Sequence, residues 1–209
     1  MTTYETEWDT LADIKDELAA RDWFMGTSGN LSIRVDENSF LVTSSGLDKR
    51  KRTANDFLLV DLEGRPLENT SSKPSAETLL HCEIYKKTSS GASLHVHTVA
   101  NNVISELFYQ EGVVTFQHQE LIKAFGLWGE DDILTIPIIR NDADIPTLAD
   151  HFSAYVSKEK GAVLIHNHGI TVWGVDGFEA KKLLEACEFL FQYKLSLIQL
   201  KGGVLHGHY

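Results

Sequence analysis

The sequence has only two cysteines and no long apolar run. Cys82 and Cys187 lie far apart inside helix-like patterns, and no Cys-x-x-Cys pair occurs. A disulfide or a cysteine-based zinc or redox site is therefore not expected, whereas two buried thiols in a reducing compartment are. A membrane-spanning helix needs about 20 consecutive apolar residues, so none is predicted. The N-terminus MTTYETEWDT is acidic and polar, unlike a signal peptide, and we expect a cytoplasmic protein.

Positive charge is also scarce in this chain. The sequence has 19 lysines and arginines against 30 aspartates and glutamates, which gives a net charge of −11. Such a surface repels nucleic acids and anionic membranes, so neither is expected as a partner. A small anionic substrate is compatible with this charge because it needs only a local pocket of donors. The 209 residues contain no repeat or convincing linker, and we expect a single domain over 1–209.

Helix-like and strand-like patterns alternate along the chain, but several predicted strands are joined only by short turns. Periodicity predicts helices at 5–21, 75–88, 99–109, 145–158 and 177–200. Ser75 is the expected N-cap of the second helix, and the KGG segment at 201–203 is the expected end of the last. Parallel strands need long crossovers, so the short turns favour antiparallel pairing. The pattern predicts an α/β fold whose mixed, largely antiparallel sheet is covered by helices on both faces.

The stretch SLHVHT at 93–98 places two histidines near the end of an apolar strand. Strand residues two positions apart point the same way, so His95 and His97 are expected side by side. A second apolar strand ends in LIHNHG, which contains His166 and His168. Three imidazoles with one open position form the usual catalytic zinc geometry, and we predict His95, His97 and His168 as ligands. By parity His166 shares the face of His168, so it stays a rival ligand or a supporting partner.

Three short loops rich in small polar residues are candidate phosphate sites. They are GTSGN at 26–30, TSSG at 43–46 and KPSAE at 73–77. Loops of this kind bind phosphate through backbone N–H groups and hydroxyls, although ordinary turns are made of the same residues. The basic run KRKR at 49–52 follows the second loop, and for most of its residues we expect a solvated turn.

Two carboxylates are candidates for proton transfer. Glu77 begins the helix that precedes the HVHT strand and can point towards a metal, although an acid is also favourable at any helix N-terminus. Glu120 follows an apolar strand in FQHQELIK. The alternative to a catalytic role is that Glu120 is a surface acid on a short helix. A carboxylate near a metal in a partly dry pocket suits abstraction of a proton next to a carbonyl.

The segments TSGNLS, TSSG, PSAE, HVHT and NHG carry a family likeness. In their order and approximate spacing the chain resembles the class II aldolase/adducin family over nearly its whole length. The resemblance implies a three-layer α/β/α domain with a mixed, mostly antiparallel sheet, and a sugar-phosphate substrate. It also implies one divalent metal per subunit, usually zinc, and a homotetramer with active sites near the subunit contacts. It assigns the metal to His95, His97 and His168. It assigns phosphate contacts to Gly29, Asn30, Ser45, Gly46 and Ser75.

Within the family, the segments FQHQELIKAFG, IPII and HGITVWG resemble the dehydratases. In those enzymes the glutamate of the HQE segment is the proposed catalytic acid and base, which implies that role for Glu120. In the sugar-phosphate aldolases the glutamate of a PSSE-like segment acts instead. Glu77 matches that glutamate, but Ala76 stands where those enzymes have serine. The resemblance implies a metal-dependent dehydratase of a ketose 1-phosphate. The alternatives are an aldolase or 4-epimerase, and an adducin-like binding domain without catalysis.

Overall fold

The computed structural model describes residues 4–205. Its helices are α1 (Glu5–Ala19), α2 (Thr78–Lys87), α3 (Val99–Leu107), α4 (Ile145–Ser153) and α5 (Gly177–Leu205). Its strands are β1 (Asn30–Arg34), β2 (Ser39–Thr43), β3 (Phe57–Asp61), β4 (Ala92–Val96), β5 (Val113–Gln117), β6 (Ile133–Ile139), β7 (Gly161–Ile165) and β8 (Gly169–Gly174). Two 3₁₀ segments are Met25–Thr27 and Glu120–Phe125. The tail histidines His206 and His208, for which no function is expected, lie outside the described residues.

The eight strands form one sheet in the order β3-β2-β1-β4-β8-β7-β6-β5. Only β6 and β7 pair in parallel, and the other neighbouring pairs are antiparallel. One apolar cluster joins the sheet to α1, α3 and α5, and a second joins its other face to α2 and α4. The predicted three-layer α/β/α arrangement with a mixed, mostly antiparallel sheet is therefore confirmed. The single domain over 1–209 stays a prediction.

Three predicted helix ends are wrong, each for a local reason. Ser75 does not cap α2, because its hydroxyl donates to the Thr43 carbonyl at 2.9 Å, and Glu77 occupies the N-cap position. α4 ends at Ser153, and the chain then turns so that Val156 is buried in the core. α5 continues through the predicted KGG end, since each of its two glycines costs a helix only about 1 kcal/mol. None of the helices in the described range combines the length and apolar character needed to cross a bilayer.

The strand β4 lies in the middle of the sheet and carries polar residues on one face. Leu94 and Val96 pack into the cluster with α1, α3 and α5, as their alternation requires. Ser93 and His95 point to the opposite face, where α2 lies, and both are buried. This arrangement places the imidazoles near the C-terminal end of β4, close to the start of α2.

A buried polar cluster, formed by Glu188, Thr98 and Asn101, lies at the N-terminus of α3. Glu188 of α5 is only 1% exposed. Its carboxylate accepts hydrogen bonds from the Thr98 hydroxyl at 2.7 Å and from the Asn101 amide at 2.8 Å. Burial raises the pKa of Glu188 to about 7, and these two hydrogen bonds only partly oppose the rise. The neutral carboxylic acid is therefore favoured in the folded protein relative to the unfolded chain.

We expect Glu188→Gln to stabilise the protein at pH 8 but not at pH 5. With a folded pKa of about 7 against an ordinary 4.5, wild-type stability falls as pH rises through that interval. The neutral amide escapes this loss, which amounts to about 2 to 3 kcal/mol in the free energy of unfolding. Urea unfolding of both proteins at the two pH values measures the difference. Glu185→Gln, a partly exposed site on the same helix, is the matched control. An equal stability difference between Glu188→Gln and wild type at both pH values contradicts the prediction.

Candidate metal centre and active site

Three imidazoles meet at the C-terminal end of β4. Candidate ligand nitrogens of His95, His97 and His168 lie within 4.8 Å of one another. The Nε2 atoms of His95 and His97 are 2.8 Å apart, and the three rings are nearly perpendicular to one another. His97 directly follows β4, whereas His168 ends the turn at 166–168 that joins β7 to β8. The antiparallel pairing of β4 with β8 brings these two parts of the chain together.

The outer ring nitrogens of two histidines are held by oxygen atoms. Nδ1 of His95 lies 3.0 Å from the Ile170 carbonyl, and Nδ1 of His168 lies 3.1 Å from Oδ1 of Asn141. A ring whose Nδ1–H donates to an oxygen presents a bare Nε2 lone pair, which is the form that binds a metal. Burial lowers the pKa of His95 well below its usual value and that of His97 to about 4. The neutral imidazoles of His95 and His97, together with the ring of His168 beside them, fit a divalent transition metal such as zinc.

The Glu77 carboxylate belongs to the same cluster. Its Oε1 lies 3.5 Å from Nε2 of His168, and its Oε2 lies 3.9 Å from Nε2 of His95. Burial alone raises the pKa of Glu77, but hydrogen bonding to His168 and attraction to the three histidine rings in their protonated form outweigh it and bring the pKa to about 2. The chain therefore places an ionised carboxylate beside the three imidazoles, as a further ligand or as a base.

A buried series of hydrogen bonds holds the Glu77 carboxylate in place. Nδ2 of Asn30 donates to Oε2 of Glu77 at 2.6 Å, and Oδ1 of Asn30 contacts Nε2 of His81. Nδ1 of His81 lies 2.6 Å from Oγ of Ser32, which lies 2.7 Å from the Tyr85 hydroxyl. Burial lowers the pKa of His81 to about 4, so its ring is neutral and donates from one nitrogen only. When His81 donates to Asn30, its other nitrogen accepts from Ser32, and every donor points from Tyr85 towards Glu77.

Two glycines permit this close packing. A Cβ atom on Gly169 would lie 2.5 Å from the Val96 carbonyl oxygen and 2.7 Å from Cδ2 of His97. Gly29 has φ +77°, and a Cβ there would lie 2.7 Å from the His95 carbonyl oxygen. A side chain at either position would displace the end of β4 that carries the imidazoles.

The three candidate phosphate loops converge beside the imidazoles. Ser44 forms an isolated β-bridge with Pro74, and the Ser45 N–H donates to the Lys73 carbonyl at 2.8 Å, so the second and third loops are adjacent. The first loop reaches the same place through Gly29, which lies against His95. The structure thus brings together elements that are separated by almost 50 residues in the sequence.

The five residues assigned to phosphate differ in how free their side chains are. Ser45 and Gly46 are exposed at the tip of their loop, and Gly29 is half-buried. The Ser75 hydroxyl is buried and donates to Thr43. The Asn30 amide is buried and binds both Glu77 and His81. The Ser75 N–H also donates to the Thr43 carbonyl, at 3.1 Å, so the exposed loop tip at Ser45 and Gly46 is the more accessible part of the predicted phosphate site.

Glu120 does not join the cluster in its own chain. Following the pairings from β4 through β8, β7 and β6, strand β5 runs opposite to β4, so the segment after β5 lies at the other end of the sheet. β5 is also four strands from β4, about 19 Å at the usual spacing of about 4.8 Å. The side chain of Glu120 is 77% exposed and pairs with Lys123 at 2.8 Å.

His166 is not a rival ligand in this geometry. Its Nε2 lies 2.6 Å from Oε2 of Glu106, and its ring stacks on Tyr109 with ring centroids 3.8 Å apart. Residues 166–168 form a turn in which Asn167 has φ +50°, so the strand parity that put His166 and His168 on one face does not apply. His166 therefore supports the turn that positions His168.

Sequence reasoning missed the position of Lys49. As expected for a solvated turn, Arg50, Lys51 and Arg52 are exposed, but Lys49 is only 5% exposed. Its Nζ donates to the Thr27 carbonyl at 2.8 Å, in the first candidate phosphate loop. Nothing distinguishes it within four consecutive basic residues, since its burial depends on a contact between two distant loops.

The sequence matches one protein family and several named relatives. Residues 9–195 match the family model described as Class II Aldolase and Adducin N-terminal domain. The chain is 63% identical over 203 residues to a methylthioribulose-1-phosphate dehydratase of Geobacillus sp. (strain WCH70), covering 96% of this chain and 95% of that protein. It is 58% identical over 204 residues to a methylthioribulose-1-phosphate dehydratase of Bacillus subtilis (strain 168), covering 96% and 98%.

The fold also matches solved structures at much lower identity. The crystal structure of an L-fuculose-1-phosphate aldolase from Thermus thermophilus superposes with a TM-score of 0.74. That match covers 94% of this chain and 97% of the other at 22% sequence identity. At this identity the likeness concerns the fold alone.

Proposed function

The chain belongs to the class II aldolase and adducin family, and on this premise we propose that it is a metal-dependent hydro-lyase of methionine salvage. The reaction converts 5-methylthioribulose 1-phosphate to 2,3-diketo-5-methylthiopentyl 1-phosphate and water. The observation that carries the proposal is sequence identity to proteins named methylthioribulose-1-phosphate dehydratase. This identity is 58% to 63% over nearly the full length of both sequences. An aldolase or 4-epimerase acting on another sugar phosphate is the less supported alternative.

His95, His97 and His168 are the proposed ligands of one zinc ion per subunit. The inward Nε2 atoms and the lowered pKa values of His95 and His97 support this assignment. A bound zinc ion supplies Lewis-acid polarisation of a carbonyl oxygen. Glu77 is proposed as a catalytic carboxylate, because it is ionised and lies beside the imidazoles. Its hydrogen bond from Asn30 fixes the direction in which it accepts a proton.

Glu120 is the proposed acid and base of the dehydration. The substrate loses the proton on C3 and the hydroxyl on C4, and the resulting enol tautomerises to the diketone. Glu120 removes the C3 proton and returns a proton to the departing hydroxide, so the net product is one water. The 3₁₀ segment Glu120–Phe125 presents this carboxylate to solvent on the outside of the subunit.

A second copy of the chain is proposed to supply Glu120 to the histidine cluster. Within one chain the two lie at opposite ends of the sheet, so only another subunit can bring them together. A contact between two different surfaces is head-to-tail and gives a ring when the rotation between subunits closes, as in the homotetramer that the family resemblance implies. On α3, next to His97, the side chains of Val99, Val103 and Leu107 are 82%, 39% and 48% exposed and form an apolar stripe. Such a stripe suits burial at a subunit contact.

The substrate phosphate is proposed to bind the three loops beside the imidazoles. The assigned residues are Gly29, Asn30, Ser45, Gly46 and Ser75. The convergence of their loops around the end of β4 supports the assignment. The substrate is the only partner proposed besides further copies of the chain, with no role for nucleic acid or membrane. A cytoplasmic location agrees with the two buried free thiols, Cys82 and Cys187.

We expect the purified, metal-analysed protein to release water from 5-methylthioribulose 1-phosphate, because the chain carries the three imidazoles and both proposed carboxylates. Mass spectrometry follows the loss of one water and the appearance of the diketone. L-fuculose 1-phosphate and L-ribulose 5-phosphate are offered in parallel as aldolase and epimerase substrates. Formation of dihydroxyacetone phosphate or of an epimer, without dehydration of the first substrate by the metal-loaded protein, rejects the proposal in favour of the alternative.

A further inference from the structure

Lys49 is a buried cation that no carboxylate in the described range 4–202 neutralises through an ion pair. The residue is 5% exposed, and the carbonyl oxygen of Thr27, 2.8 Å from Nζ, is its one hydrogen-bond acceptor among those residues. An ammonium group has three N–H donors, and a buried charge is costly unless it is paired. By contrast Lys15, which is also buried, pairs with Asp56 at 3.2 Å. The ammonium of Lys49 thus has the capacity to bind an anion.

The loop that Lys49 contacts contains a second polar group without a partner. Within the described residues, the buried hydroxyl of Ser28 has no hydrogen-bond partner. Ser28 directly follows Thr27, whose carbonyl holds the ammonium, and precedes Gly29, which lies against the His95 backbone. An unpaired cation and an unpaired hydroxyl therefore lie at one loop, and both are donors that suit a phosphate group.

Lys49 also lies close to the histidine cluster. Its Nζ is 6.0 Å from the ring centroid of Phe24, and Phe24 forms an isolated β-bridge with His97. The charge of Glu77 raises the pKa of Lys49, although burial has the larger effect and lowers it. Lys15 fixes the turn at 49–52, since its ammonium donates at 2.9 Å to the carbonyls of both Lys49 and Lys51. The turn therefore presents the Lys49 ammonium towards the loop at 26–30 and away from solvent.

We propose that Lys49, assisted by the Ser28 hydroxyl, is the cation that binds the phosphate group of the substrate. This inference rests on the proposed function for the identity of the substrate, but the site itself requires only a phosphate monoester. In a chain with a net charge of −11, a dianion needs a local cation beside the cluster. A phosphate at this position receives the ammonium charge of Lys49 and a hydrogen bond from the Ser28 hydroxyl.

The test measures binding of inorganic phosphate to the metal-loaded protein by titration calorimetry. We expect Lys49→Met to weaken it about ten- to hundredfold, because charge-assisted hydrogen bonds to phosphate are lost. Lys49→Arg keeps the charge and retains most of the affinity. Lys51→Met, two residues away with a side chain that is 77% exposed, is the matched control and leaves binding unchanged. Circular dichroism and metal content verify that each variant is folded and loaded.

Two results overturn the assignment. The first is wild-type phosphate affinity in folded Lys49→Met, which leaves Lys49 as a tether for the loop alone. The second is that folded Lys49→Arg loses phosphate binding while Ser28→Ala keeps it unchanged, which indicates that packing and not charge matters. The KM for 5-methylthioribulose 1-phosphate provides the separate readout for the substrate. Loss of phosphate affinity in Lys49→Met without turnover of that substrate by wild type supports the anion site and rejects the proposed function. Turnover of that substrate by wild type, with an unchanged KM in Lys49→Met, supports the proposed function and rejects the assignment of the phosphate to Lys49.

Discussion

Replacing Glu120 with glutamine lowers kcat by about 10²- to 10⁴-fold, the usual contribution of a positioned acid and base. Glutamine keeps the size and the hydrogen-bonding oxygen of the side chain but neither accepts nor delivers the proton at C3. The carboxylate is exposed and lies away from the core, so stability and metal content are expected to stay at wild-type values. Steady-state turnover of 5-methylthioribulose 1-phosphate, with metal analysis of the same sample, measures the effect. Near-normal turnover by the metal-loaded variant removes Glu120 from the mechanism.

The same variant tests whether the carboxylate acts across a subunit contact. We co-express Glu120→Gln with His97→Ala, each inactive alone, so that mixed oligomers form. In a mixed oligomer the intact histidines of one subunit meet the intact Glu120 of another. Random equal mixing restores about one quarter of the sites if each site combines two chains. If the activity stays at the level of the separate variants, each site takes Glu120 and the histidines from one chain. That result would contradict the placement of Glu120 at the opposite end of the sheet, which follows from the direction of β5.

Loss of one imidazole from the cluster is expected to abolish both metal binding and turnover. His168→Ala leaves two histidines where catalytic zinc sites have three protein ligands, so metal content falls from one per subunit to a small fraction. Activity falls below about 10⁻³ of wild type, since the Lewis-acid contribution is worth several kcal/mol. Atomic emission analysis and the dehydration assay measure the two effects.

The turn that holds His168 offers its own control. His166→Ala removes the neighbouring imidazole, which contacts Glu106 and Tyr109 but lies outside the cluster. It should keep most of the metal and lose only the support for the turn. Equal loss of metal from both variants makes His166 a ligand after all, and full activity of metal-free His168→Ala rejects the metal centre.

Local geometry accounts for the spatial arrangements that the sequence predicts correctly. The pairing of His95 with His97 depends on the alternation of one strand, which requires no knowledge of the rest of the fold. The candidate phosphate loops are recognisable because small polar residues follow apolar strands. The sheet type follows from short connections, which allow antiparallel pairing and disfavour crossovers.

Features that depend on distant pairings could not be predicted in this way. The choice between His166 and His168 is decided inside a turn by the backbone of Asn167, where strand alternation has ended. The position of Glu120 depends on the direction of β5, which is set by four successive strand pairings and not by its own sequence. Lys49 is buried only because its turn packs on the loop containing Thr27, far away in the sequence.

The hydrogen-bond series from Tyr85 to Glu77 limits how this sequence can diverge. Because every donor points one way, a change that reverses one member leaves a neighbour with two donors or two acceptors facing each other. An aspartate in place of Asn30, for example, would set a second carboxylate against Glu77. Descendants of this protein can therefore alter Asn30, Ser32, His81 and Tyr85 only in coordinated steps. Evolution of a new reaction on this scaffold has more freedom at the surface carboxylate Glu120 than at Glu77, which is inherited together with the residues beneath it.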